Sequence, residues 1–352
     1  MDVRKMDDTR YTLGSLAEKI GGVLHGDPTI RIHGVCSPEQ FESGCIVVIW
    51  GSGKIADLPS DTPAVGESAL FKSHRLGIEV ADPRESLISL LDIFFPREHP
   101  QPGVHPTAVI ESGAIVHPSA FIGPNVAVGA DSRIGVGSIV EPNVVIGRNV
   151  SVGENTMIEA SAVLRDETVV GRNCVIHSGA VLGCDGFGFI PDIVHGHRKI
   201  PQAGRVVLGD NVEVGACVTI DRATIGSTVI DSGTVIDDHV HIGHNAKIGK
   251  NCILIAMTGI AGSAVLEDGV IMAARIGVAD HVTVGKGAQV AAYGGATKDV
   301  PAGKVVSGFP ARDHMEEMKK QVSVAKLPAL VKEIKQLKKQ VVSLLEEPQI
   351  GI

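Results

Sequence analysis

From residue 104 onward an aliphatic side chain returns at every sixth position. Val104, Ile110, Val116, Ile122, Val128, Ile134, Val140, Ile146, Val152, Ile158, Leu164, Val170, Ile176 and Leu182 hold the phase without a miss. A glycine often follows, as in Ile122-Gly123, Val128-Gly129, Ile134-Gly135 and Ile146-Gly147. The phase breaks across residues 183–207 and resumes at Leu208, Val214 and Ile220. It slips by four residues, then runs from Ile230 through Ile236, Ile242, Ile248, Leu254, Ile260, Leu266, Met272, Val278 and Val284 to Val290. A period of six matches neither the 3.6-residue helix nor the alternation of a long strand. It matches a triangular coil in which each side is one short strand and each corner a tight turn. The aliphatic residue points into the prism, and the small residue beside it allows the turn. Three hexads make a coil of about 18 residues, with strands stacked about 4.8 Å apart. The pattern therefore predicts a parallel β-helix over residues 101–308. A solenoid takes insertions as loops thrown outward from a corner, so residues 183–207 form one such loop, a place where function commonly sits.

The flanks lack this period. Leu13–Ile20 reads as a helix, Ile30–Val35 as a strand, and residues 85–95 carry apolar residues at helical spacing. Residues 1–100 are thus a small α/β domain, joined to the solenoid by the Pro-rich run at 96–106. Beyond residue 308 the pattern turns helical, over 313–322 and 328–346, with Pro328 in the first turn of the second helix. Leu330, Ile334, Leu337, Val341 and Leu344 alternate four and three apart, a short a/d seam. Residues 309–352 are a helical extension.

Composition narrows the class. Glycine supplies 42 of 352 residues and aromatics only 3%, while 44% of residues are apolar. A prism too narrow for rings accounts for the scarcity of aromatics. An aliphatic-rich chain has ample surface to bury and is not disordered. A net charge of −8 and few stacking residues argue against a general nucleic-acid binder. Cys36, Cys45, Cys174, Cys184, Cys217 and Cys252 form no CxxC pair, as expected of reduced cysteines in a cytoplasmic protein. The opening MDVRKMDDTRYTLG has no apolar core of the signal-peptide kind, and no run of apolar residues reaches membrane-spanning length. Against the acidic average, Lys319, Lys320, Lys326, Lys332, Lys335, Lys338 and Lys339 cluster in the C-terminal helices, a basic face suited to an acidic partner.

The chemistry follows the histidines. The segment HVHIGHN sets His239, His241 and His244 close together, a cluster that invites a metal. On a strand His239 and His241 would share a face while the turn re-aims His244, so a tetrahedral site would need a second subunit. The coil period offers a different reading. Gly262 lies 18 residues beyond His244, one coil above it, and His281 lies about two coils above. A neutral imidazole can take a proton from an attacking group. A glycine lets a backbone N–H approach a developing oxyanion. His244, Gly262 and His281 on one edge are an acyl-transfer constellation needing no covalent intermediate.

LGSLAEKIGGVLHGDPTIRIHGV at the N-terminus, GCDGFGF and KIPQAGRVVLGD in and after the insertion, VEVGACVTIDRA and IDDHVHIGHNAKIGKNC carry a family likeness. The sequence resembles the UDP-3-O-(3-hydroxyacyl)glucosamine N-acyltransferases of lipid A biosynthesis, over almost the whole chain. The resemblance implies a left-handed β-helix and a homotrimer with active sites between subunits. It implies transfer of a 3-hydroxyacyl chain from acyl carrier protein to the 2-amine of UDP-3-O-acylglucosamine, with no cofactor beyond the carrier's phosphopantetheine. His244 would be the general base, His281 a second active-site histidine, and Gly262 the oxyanion donor. Asp221 would orient His244, and Asn245 and Phe187 would contact substrate. The basic C-terminal helix would greet the carrier protein. One segment departs: where the family carries an F-x-x-N-x-K-Y-like stretch for uridine, residues 47–54 read VVIWGSGK. Trp50 is the residue left to stack on uracil, an interaction worth ~1–3 kcal/mol. That departure keeps open a related hexapeptide acyltransferase acting on another sugar nucleotide. The histidine cluster keeps open a trimeric metalloenzyme of the carbonic anhydrase type.

Overall fold

The structure, a computed structural model, describes residues 11–50, 59, 61–72, 74–96, 99–307 and 314–346. The chain divides into two units between His99 and Pro100.

The first unit is built on a five-stranded sheet in the order Val23–His25, Gly77–Glu79, Ala64–Gly66, Cys45–Val48, Gly34–Cys36. Helix α1 (Leu13–Ile20) starts on a capping box: Ser15 N–H donates to Thr12 Oγ1 at 3.2 Å, and Thr12 N–H donates to Ser15 Oγ at 2.9 Å. Helix α2 (Pro83–Phe94) starts on Asp82, with Pro83 in the first turn where its missing N–H costs nothing. Leu13, Leu16, Ile32, Ile46, Ile78 and Leu90 close the core. The strand expected over 30–35 is two. Arg31–Ile32 pairs antiparallel with Tyr11–Thr12, and Gly34–Cys36 pairs parallel with Cys45–Val48. The two halves hold to different partners, so the run cannot be one straight element.

The second unit is a parallel β-solenoid of three faces with 11, 10 and 9 strands. The hexad residues stack in register, as in Ile122↔Val140↔Ile158↔Ile176. Across the breaks the register is kept but the sequence interval grows, 38 residues for Ile176↔Val214 and 22 for Val214↔Ile236. From Ile122 upward the inward residues form one continuous buried column. In the lowest coil, with no coil beneath it, Val104 is exposed and Ile110 and Val116 are half-buried. Buried hydroxyls between coils are satisfied: Ser132 Oγ donates to Gly147 O at 2.8 Å and accepts from Val150 N–H at 2.9 Å.

The glycines beside the aliphatic residues have a different role from the one expected. Gly123, Gly129, Gly135 and Gly147 do not take a positive φ. A Cβ on Gly129 would fall 2.5 Å from the Gly147 carbonyl of the next coil, so smallness here serves coil-on-coil stacking. The left-handed turn residue comes two positions later, at Asn125, Asp131, Gly137 and Asn149. Asn and Asp tolerate that conformation better than other side chains.

The C-terminal segment also differs from expectation. One helix, α3 (His314–Glu346), continues past Pro328 where two helices were expected. Proline removes one hydrogen bond and crowds the carbonyl four residues back. The helix-forming residues on both sides, rich in Lys, Leu, Gln and Glu, carry the helix through. Leu330, Ile334, Leu337 and Val341 of the a/d seam are all exposed.

Candidate active site

Both insertions leave the same corner, where the ten-stranded face turns into the nine-stranded face. The longer one departs from the Val181–Cys184 strand and returns on Arg205–Leu208. Between them Phe189–Ile190 and Arg198–Lys199 pair as an antiparallel hairpin. The shorter one lies between Thr219–Asp221 and Ser227–Ile230. His244, Gly262 and His281 occupy this same corner in three successive coils above.

The stacking expected from the 18-residue interval holds. Ser263 N–H donates to His244 O at 2.8 Å, and His281 N–H donates to Gly262 O at 3.3 Å. The imidazole of His244 lies over Gly262: a Cβ there would fall 2.7 Å from Nε2 and 2.8 Å from Cε1. Among the described residues the Gly262 N–H has no acceptor. His281 stands one residue later in its turn than His244, in the left-handed conformation shared with Asn245 and Ser263. It is exposed, whereas His244 is half-buried.

Asn245 is tied into the chain through its side chain and its backbone. Thr224 N–H donates to its Oδ1 at 3.0 Å, and its Nδ2 donates to Ile225 O at 3.0 Å. The same Oδ1 faces His244 Nδ1 at 3.2 Å. Thr224 Oγ1 donates to Gln202 Oε1 at 2.9 Å, and Gln202 Nε2 donates to Ile200 O at 3.0 Å. Gly186 fits between Gln202 and His244, where a Cβ would fall 2.7 Å from the histidine Cβ.

Asp221 is buried, and its carboxylate lies 3.7 Å from His241 Nε2, so its nearest imidazole is His241 and not His244. Burial pushes its carboxyl above the ordinary range, against the pull of His241 first and His244 second. His241 is held from its other nitrogen by Thr219 Oγ1 at 2.8 Å. Arg222 turns inward to the chain, donating to Gly183 O at 3.1 Å and Asp166 O at 2.9 Å. An ion pair between Lys199 and Asp185 fastens the hairpin and holds the Asp185 carboxyl below its ordinary range. Phe187 is 87% exposed and tilts against Phe189 with ring centroids 5.1 Å apart. Trp50 belongs to the first unit and is exposed; of the divergent segment 47–54, residues 51–54 lie outside the described residues. His239 sits in a left-handed turn and does not share a strand face with His241. Among the described residues no three His, Cys, Asp or Glu side chains converge as metal ligands.

Gln202, Thr224 and Gly186 were not singled out in the sequence. They lie where the hexad phase is lost, and the clue was that two phase breaks fall one coil and two coils below the same histidine.

The solenoid is that of the hexapeptide transferases: residues 149–184 match the family model described as bacterial transferase hexapeptide (six repeats). The UDP-3-O-acylglucosamine N-acyltransferase 1 of Gloeobacter violaceus is 42% identical over 339 residues, 95% of this chain and 97% of that one. The UDP-3-O-acylglucosamine N-acyltransferase of Parasynechococcus marenigrum is 48% identical over 260 residues, 74% of this chain and 75% of that one. The solved UDP-N-acetylglucosamine acyltransferase of Arabidopsis matches with a TM-score of 0.51 at 28% identity, covering 58% of this chain and 71% of that one. The chain belongs to the UDP-3-O-acylglucosamine N-acyltransferase family.

Proposed function

We propose that this chain transfers a 3-hydroxyacyl group from acyl carrier protein to the 2-amine of UDP-3-O-acylglucosamine, with His244 as general base. The observation that carries the reading is the imidazole edge of His244 set against Gly262, whose N–H has no acceptor among the described residues. The amine attacks the thioester carbonyl while His244 Nε2 takes its proton. The Gly262 N–H receives the oxyanion. Collapse expels the phosphopantetheine thiolate, which recovers the proton from the imidazolium. No group in this sequence needs a cofactor. His281, exposed one coil beyond Gly262, meets substrate or carrier phosphate in this reading.

The wider assembly belongs to the same proposal. The coil is left-handed, and three chains associate around an axis parallel to it. The exposed a/d seam of α3 supplies an apolar surface for that association, and its lysines supply the charge for an acidic carrier protein. The enzyme is cytoplasmic; among the described residues no helix is long and apolar enough to cross a membrane. Residues 47–54 favour a second reading of the acceptor only, in which another amino-sugar nucleotide replaces UDP-3-O-acylglucosamine.

The test mixes purified protein with 3-hydroxyacyl carrier protein and UDP-3-O-acylglucosamine and detects the diacylated product by mass spectrometry. His244→Ala should lower the rate by about 10²–10⁴-fold without unfolding the protein. Full activity in that variant would remove His244 from the mechanism. Turnover only with a different amino-sugar nucleotide would establish the second reading.

A further inference from the structure

We propose that Asn245 is a positioning residue that sets the tautomer of His244, and that the two insertions act on the site by holding its carboxamide through Thr224 and Gln202. The proposal rests on the reading of His244 as the base.

The orientation of the carboxamide is decided by groups whose polarity is beyond choice. Thr224 N–H can only donate, so the atom 3.0 Å from it is Oδ1. The Ile225 carbonyl can only accept, so the atom 3.0 Å from it is Nδ2. The oxygen thus fixed also faces His244 Nδ1 at 3.2 Å. A carboxamide oxygen has no proton to give, so the hydrogen in that bond belongs to Nδ1. Nε2 is then the bare nitrogen, and Nε2 is the atom set against Gly262. Histidine side chains in water favour the opposite form, with the proton on Nε2, which would leave no lone pair where the base is needed. The partner on one ring nitrogen decides the state of the other.

Asn at this corner has a rival explanation, since Asn is common at left-handed turn positions. Four other left-handed asparagines pair with one another instead: Asn125 donates to Asn143 at 3.3 Å and Asn173 to Asn211 at 3.3 Å, from coil to coil. Asn245 instead turns its carboxamide into the short insertion and onto His244. Its own N–H is taken by Thr228 Oγ1 at 2.8 Å, so both backbone and side chain are pinned. The chain of support extends outward. Thr224 is fixed by Gln202, a buried residue of the long insertion, and Gln202 by Ile200 O. Two departures from the hexad rule therefore converge on one carboxamide.

The experiment uses the full-length protein labelled with ¹⁵N-histidine and reads the protonation of each ring nitrogen by NMR. The His244 signal is identified as the one absent from His244→Ala. Wild type should show the proton on Nδ1. Asn245→Gly keeps the left-handed turn and removes only the carboxamide. It should move the proton toward Nε2, lower kcat by about 10–100-fold, and leave KM for the sugar nucleotide unchanged. Thr224→Ala, which cuts the tie to Gln202, should produce a smaller shift in the same direction, and it serves if Asn245→Gly does not fold. A tautomer unmoved by either variant, or a raised KM with kcat intact, would overturn the proposal; the latter would make Asn245 a substrate contact. Absence of turnover in wild type would count against the acyltransferase reading and leave the NMR result standing on its own.

Discussion

At residue 262 a hydrogen atom in place of a methyl group decides where an imidazole can lie. The His244 ring occupies the space a Cβ would need, 2.7 Å from Nε2. Gly262→Ala should therefore push the ring off its seat. Because His244 is a corner residue outside the apolar column, the melting temperature should change little. Activity should fall by about 100-fold, the scale on which small misplacements of a catalytic group act. A fully active Gly262→Ala enzyme would show that contact with Gly262 does not set the working position of the base. The same scale explains what could be read of the site in advance. His244, Gly262 and His281 were legible because the coil repeats every 18 residues, and a repeat converts sequence interval into height. Asp221 was legible as a neighbour of the histidines, but its distance of 3.7 Å to His241 depends on how the short insertion bends.

Among the elements, α3 is where pattern and structure part company. The seam residues all follow Pro328, yet the helix begins before it and continues through it. Proline was read as a start, because the pattern shows where a helix is interrupted but not whether its two halves share an axis. The lysines of α3 are exposed among the described side chains. Replacing Lys332, Lys335, Lys338 and Lys339 by Glu should weaken the affinity for acyl carrier protein and flatten its salt dependence. Titration of the two proteins at low and moderate ionic strength reads this, and unchanged affinity would remove the carrier from this helix. The hairpin of the long insertion was legible as a loop by its broken phase. Its exposed Phe187 and the paired Phe189 carried no information about what they face.

Over the whole molecule, stability depends on how each coil grips the next. The long insertion interrupts the chain between the coils of His177 and Glu213, which remain neighbours in space. His177 spans the join: its Nδ1 lies 3.0 Å from Glu159 and its Nε2 2.9 Å from Glu213. Burial alone would lower its pKa, but the hydrogen bonds its ring donates to Glu213 and Glu159, and their charge, outweigh it and raise the pKa above the ordinary 6.5. A raised folded-state pKa means the clasp contributes fully below about 6.5 and fades as pH rises through the higher folded value. His177→Gln should thus lower the melting temperature at pH about 5.5 and leave it nearly unchanged at pH about 9. An equal loss at both values would mean the imidazolium is not what joins these coils.

The sequence by itself determined the solenoid. An aliphatic residue at every sixth position leaves one way to bury the column, because each strand finds its partner one fixed interval away. It also determined the height of the three site residues, for the same reason. Only the tertiary structure decided what surrounds His244. Gln202 and Thr224 come from two loops that lie outside the repeat, and no period relates either of them to Asn245. Their hydrogen bonds exist because both insertions leave the same corner, and where a loop closes is set by the donors and acceptors it meets in space.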